Sequence, residues 1–99
     1  MELILSDIAI ERLRDIVDYY SFHASKSVAL KIRAGINRRI QTLLLNQRTG
    51  QKEPSLAHHN QDYRYLVEGH YKIVYRLAGN ILYIVDIFDT RQHPGKMNG

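Results

Sequence analysis

The side chains in this sequence that could do chemistry are mostly cations, and they gather on one stretch. Between Tyr63 and Arg91 stand Arg64, Lys72, Arg76 and Arg91, interleaved with tyrosine, isoleucine and valine. Lysine and arginine in this pattern bind rather than react: each is a positive charge carrying several N–H donors, suited to a polyanion or an acidic peptide. A lysine acts as a base only when its pKa falls far below about 10.4, and nothing in the sequence brings that about. The adjacent pair His58-His59 points apart in an extended loop and lacks a third ligand at a familiar spacing, so no metal site is expected. Cysteine is absent, which removes disulfides, thiolate chemistry and cysteine-containing zinc sites together. Gly69 and Gly79 are isolated turn glycines and make no phosphate-cradling loop, and no cofactor is expected. Tyr63, Tyr65, Tyr71, Tyr75 and Tyr83 suggest a base-stacking platform. Their alternation with isoleucine and valine makes core and cross-strand packing the better account.

Three strands must hold these cations. The runs Tyr-Arg-Tyr-Leu-Val, Tyr-Lys-Ile-Val-Tyr-Arg-Leu and Ile-Leu-Tyr-Ile-Val-Asp-Ile-Phe-Asp are broken at Glu68-Gly69-His70 and at Ala78-Gly79-Asn80, which reads as an antiparallel meander. Side chains alternate along a strand, so Tyr71, Ile73, Tyr75 and Leu77 share one face and Lys72, Val74 and Arg76 the other. Arg64 is expected to join Lys72 and Arg76 on that basic face. The meander needs an apolar cover, and the first half of the chain supplies two helices. Ser6 caps the first, whose stripe of Ile10, Leu13, Ile16, Val17 and Tyr20 runs to about His23, leaving Glu11, Arg12, Arg14, Asp15 and Asp18 as a solvated face. Ser25 or Ser27 caps the second, carried by Val28, Ala29, Ile32, Ile36, Ile40, Leu43 and Leu44, with Gly35 marking a close approach of the two helices. Lys26, Lys31, Arg33, Arg38 and Arg39 make this helix basic, as a solvated face or an interaction surface. Glu2 to Leu5 is a candidate strand before the hairpin. Asn46 to Asn60 is a long loop of the kind that carries function or motion, and residues 89–99 form a polar tail.

Ninety-nine residues make one domain, 1–99, with the order β-α-α-β-β-β: an α+β fold in which an N-terminal helical hairpin packs on a small antiparallel sheet. A net charge of +4 and a pI near 9.5 favour nucleic acid, a ribosome or an acidic protein as partner. The N-terminus lacks the basic and long apolar regions of a signal peptide, and no apolar run approaches the ~18 residues of a membrane span. A cytoplasmic protein without membrane contact is expected.

Several segments together resemble the RelE/ParE superfamily of bacterial type II toxins: Ile-Val-Asp-Tyr-Tyr at 16–20, Leu-Leu-Leu-Asn before Gly50, Arg64-Tyr-Leu, Gly69-His-Tyr-Lys-Ile-Val-Tyr-Arg, and a last strand running into Asp89-Thr-Arg-Gln-His-Pro. The resemblance covers nearly the whole chain. It implies a toxin that stops growth when free, is neutralised by a cognate antitoxin encoded beside it, and assembles with that antitoxin as a hetero-oligomer. In members resembling RelE, the toxin cuts mRNA on the ribosome, which requires an activated 2′-hydroxyl, a protonated leaving oxygen and stabilised phosphate charge. By position, Lys72 and Arg91 would serve there as catalytic residues, with His93 as the proton carrier, since its unperturbed pKa of about 6.5 suits acid–base work. No tyrosine follows Tyr83, and the position six beyond Arg91 is Met97, which transfers no proton. In members resembling ParE, the toxin binds DNA gyrase without a catalytic set. The incomplete nuclease set and the long hairpin favour this second branch, with Arg64, Lys72, Arg76 and Arg91 as binding residues. A non-catalytic RNA- or peptide-binding module is the remaining alternative.

Overall fold

Two serines start the helices that the apolar periodicity implies. The Ser6 Oγ accepts from the Ala9 N–H at 3.0 Å and opens α1, Asp7–His23. Ser25 does the same for the Val28 N–H at 3.1 Å and opens α2, Lys26–Leu45. Each hydroxyl satisfies one of the donors that a helix N-terminus leaves without a backbone partner. The computed structural model describes residues 1–52 and 62–91. Beside the helices it contains five strands: β1 (Glu2–Leu5), β2 (Gln51–Lys52), β3 (Tyr63–Glu68), β4 (Tyr71–Ala78) and β5 (Ile81–Asp89). They form one sheet in the order β1-β5-β4-β3-β2. The fold is the expected α+β arrangement of a helical hairpin on a sheet.

The meander of β3, β4 and β5 forms through two-residue turns, each with its glycine first and at positive φ, +58° at Gly69 and +59° at Gly79. A first turn residue in that conformation is the pattern of a type II′ hairpin, whose twist matches that of the strands it joins. The first turn pairs Glu68 with Tyr71, and this fixes every later partner across β3 and β4. One face of the sheet then presents Leu66, Tyr71, Ile73, Tyr75, Leu82, Ile84 and Ile87 to Ala9, Ile36, Ile40 and Leu43 of the helices. Each large aliphatic side chain fully withdrawn from water there contributes about 1.5–3 kcal/mol. Leu13, Ile16, Tyr20, Ile32 and Leu44 complete the contact from the expected helix stripes, whereas Ile10 and Val28 are exposed.

Two features lie outside a simple meander. β1 runs parallel to β5, with Leu3 beside Leu82 and Leu5 beside Ile84, so the first and last strands are neighbours. β5 also carries a bulge: Val74 pairs with Asp86 and Tyr75 with Ile84, which leaves Val85 as the extra residue. A bulge frees a backbone carbonyl that needs a partner. Ser6 provides it, donating from Oγ to the Val85 carbonyl at 2.7 Å and from its N–H to the Ile84 carbonyl at 2.9 Å. One residue thus caps α1 and seals the bulge.

Four expectations change. Asn46 to Asn60 is not one loop: after turns at its start, β2 pairs Gln51 with Tyr65 and Lys52 with Arg64, while 53–61 lie outside the described residues. Asp89 belongs to β5 and is buried, so the polar tail cannot begin there. Gly35 does leave room for a close neighbour, but that neighbour is Glu68 of β3, whose Oε2 would lie 3.3 Å from an added Cβ. Arg12 is not merely solvated, because its Nε pairs with the Asp86 carboxylate at 3.1 Å and ties α1 to β5.

Candidate functional site

The sheet face turned away from the helices carries two of the four cations that stood out in the sequence, Lys72 and Arg76. Lys72 and Arg76 project from β4 on either side of Val74, which is 0% exposed. Aromatic side chains flank this row from the adjacent strands. Tyr65 lies beside Val74, Tyr63 beside Arg76, Phe88 beside Lys72 and Tyr83 beside Arg76. The Lys72 Nζ stands 4.2 Å from the centre of the Tyr65 ring and 6.0 Å from that of Phe88, and the Arg76 guanidinium 4.5 Å from that of Tyr83. Such contacts hold a cation over the negative face of a ring and contribute about 0.5–1 kcal/mol at partly exposed sites. The result is a half-buried layer of aromatics with cations lying over it. It offers flat apolar area and N–H donors together, the composition that favours protein contact.

Arg64 does not join that layer. The register places it opposite Tyr75, on the helix side of the sheet near its edge. There its Nη1 donates to the Gly50 carbonyl at 3.0 Å and its Nε pairs with Asp62 at 3.1 Å. The same corner holds the Tyr75 hydroxyl, which donates to the Gln47 carbonyl at 2.8 Å and accepts from the Gly50 N–H at 2.8 Å. Burial pushes the Tyr75 phenol up from its ordinary pKa, and the Gly50 amide partly offsets this. Arg64 is therefore part of the clasp that fastens the end of α2 to the sheet, and its grouping with Lys72 and Arg76 is corrected.

Arg91 occupies a third place. It follows β5 on the helix side, where its Nη2 lies 3.3 Å from Asp89 Oδ2 and 3.5 Å from the Tyr20 hydroxyl. Burial pushes the Asp89 carboxyl up, but hydrogen bonds from the Arg91 guanidinium and backbone N–H outweigh it and hold the pKa below its ordinary value. Beside Arg91 a cleft of about 520 Å³ is bounded by Tyr20, Lys31, Gly35, Glu68 and His70, with Tyr71 at its floor. The Tyr71 hydroxyl is buried with no hydrogen-bond partner among the described residues. Desolvation is the main cause that raises its pKa, and the neighbouring Tyr20 side chain adds to it.

Lys72 and Arg91 thus lie on opposite faces of the sheet. His93, the third residue of that candidate set, and His58-His59 lie outside the described residues. Sequence reasoning missed the cleft. Its signal was present in the two-residue turn, which pairs Glu68 with Tyr71 and brings His70 to the same end as the last strand.

Among the described residues no helix is long and apolar enough to cross a membrane. Comparison with known families matches residues 3–94 to the ParE toxin of the type II toxin-antitoxin system parDE. Among solved structures, the chromosomal ParDE TA system from P. aeruginosa is similar in fold, with a TM-score of 0.74 and 22% identity over 90% of this chain and 95% of that one. No curated protein sequence matches the chain.

Proposed function

Since the chain belongs to the ParE toxin family of type II toxin-antitoxin systems, we propose that it arrests growth in the cytoplasm by binding DNA gyrase and that a cognate antitoxin neutralises it. The family match across residues 3–94 carries this reading. Two structural observations support it. The layer formed by Tyr65, Lys72, Arg76, Tyr83 and Phe88 has the make-up of a protein-binding surface. The separation of Lys72 from Arg91 by the thickness of the sheet disfavours the ribosome-dependent nuclease alternative, because general acid–base cleavage needs its groups within hydrogen-bond reach of one phosphodiester.

Purified protein, titrated against gyrase on relaxed plasmid, is expected to block supercoiling near equimolar ratio. Lys72→Ala together with Arg76→Ala should weaken inhibition at least tenfold while leaving the fold intact. Full supercoiling at a large excess of toxin would refute the gyrase reading. Cleavage of ribosome-bound mRNA, abolished by either Lys72→Ala or Arg91→Ala, would replace it with the nuclease. Coexpression with the neighbouring antitoxin should restore growth, and continued arrest would remove the antitoxin from the proposal.

A further inference from the structure

The cleft beside Arg91 has a chemistry of its own. Its floor holds Tyr71, a residue only 6% exposed, whose buried hydroxyl lacks a partner among the described residues. Phenylalanine would fill the same space without stranding a donor, so the hydroxyl is structurally redundant where it stands. Above it, Arg91 is held from behind by buried Asp89, and its 54% exposed side chain keeps further N–H donors toward the cleft. The long 3.5 Å contact from Arg91 to the Tyr20 hydroxyl is the weakest of its bonds and the first that a better acceptor would replace. Lys31 also lines the cleft, and Glu68 is its only carboxylate among the described residues. Donors from Arg91, Tyr71, Tyr20 and Lys31 therefore line one space, in which the Tyr71 hydroxyl has no hydrogen-bond partner among the described residues.

We infer that this cleft receives a carboxylate side chain from an acidic segment of a partner protein, with Arg91 pairing the carboxylate and the Tyr71 hydroxyl donating to it. Under the reading above, on which this identification of the partner rests, that protein is the antitoxin. An arginine fork and a neutral hydroxyl donor suit the planar, acceptor-only carboxylate. A partner segment that folds on docking gains register from one such anchored side chain.

The test is an NMR titration of the intact chain with N-acetyl-glutamate N-methylamide, run beside the glutamine analogue and inorganic phosphate, on the unsubstituted protein, Tyr71→Phe and Lys31→Gln. Saturable shifts of the Gly35, Gly69 and His70 amides are expected with the glutamate compound alone, weakened at least threefold in each variant. The unfolding temperature of Tyr71→Phe should not fall, which separates a lost ligand donor from a damaged fold. Equal shifts with the glutamine analogue, or an unchanged dissociation constant in Tyr71→Phe, overturn the inference. Tighter binding of phosphate overturns it as well, in favour of a phosphate site. The purified antitoxin supplies the second arm. Binding that is at least tenfold weaker to Tyr71→Phe supports the placement, and equal binding refutes the placement while leaving the toxin–antitoxin pairing intact. Failure of the antitoxin to bind the unsubstituted protein refutes the pairing itself and, with it, the identity of the partner.

Discussion

Tyr71 and Tyr75 project from the same strand into the same core, yet removal of one oxygen should affect them in opposite ways. The Tyr75 hydroxyl makes two bonds, to the Gln47 carbonyl and from the Gly50 N–H, both at 2.8 Å. In Tyr75→Phe the Gly50 amide, in a buried residue, loses its partner at a cost of about 1–3 kcal/mol, and loss of the half-buried Gln47 bond adds roughly 1 kcal/mol. The total is about 2–4 kcal/mol, a large share of the stability of a small domain. Tyr71 has no bond to lose among the described residues, so Tyr71→Phe should change stability by less than about 0.5 kcal/mol or raise it. Urea unfolding separates the two. With a slope of about 1.5 kcal/mol per molar, the midpoint of Tyr75→Phe should fall by about 1–3 M and that of Tyr71→Phe should hold or rise. Equal losses in both variants would refute the reasoning, because they would mean that the ring environment and not the hydroxyl partners sets the effect.

The same corner makes Gly50→Ala destabilising by about 1–3 kcal/mol in the same assay, since an added Cβ would lie 2.5 Å from the Tyr75 hydroxyl and 2.7 Å from the Tyr65 carbonyl. A double-mutant cycle on Arg12→Ala and Asp86→Ala should return a coupling of about 1–2 kcal/mol, more than an exposed pair gives, because the side chains are only 27% and 14% exposed. Stability should also fall at both ends of the pH scale. The native pKa of Asp89 lies below the ordinary 3.8, so its contribution is present above that value and is lost as pH falls through the native pKa; Asp89→Asn should flatten this acid limb. The native pKa values of Tyr71 and Tyr75 lie above 10.0, so theirs is fully present below pH 10.0 and is lost as pH rises beyond it, read as a falling unfolding temperature that Tyr71→Phe makes shallower.

Local pattern carried the helices and the meander. Ser6 and Ser25 sit where caps belong, and Leu13, Ile16, Ile36, Ile40 and Leu43 repeat with the helical period. The parallel pairing of β1 with β5 was not legible, because nothing in Glu2–Leu5 names a partner almost eighty positions away. β2 was too short to show as a pattern, and its two residues form a strand only because β3 offers an edge. The position of Arg64 was legible and was misread: the two-residue turn at Gly69 fixes its pairing with Tyr75, but grouping by charge ignored that register. Of the candidate site, the sequence located Lys72 and Arg76 together. The cleft needed three dimensions, since Tyr20, Lys31, Tyr71 and Arg91 come from four separate elements or turns.

The neighbouring positions of the first and last strands bear on the order of synthesis. A ribosome releases Glu2–Leu5 long before Ile81–Asp89 exists, so β1 waits, without its ladder, for β5. Ser6 waits with it, because the carbonyls of Ile84 and Val85 that it bonds arrive just as late. A nascent chain therefore lacks this pairing until β5 has been made, and completion of the sheet is deferred to that point. For a member of the ParE toxin family, that delay ties the appearance of the complete sheet to the synthesis of β5.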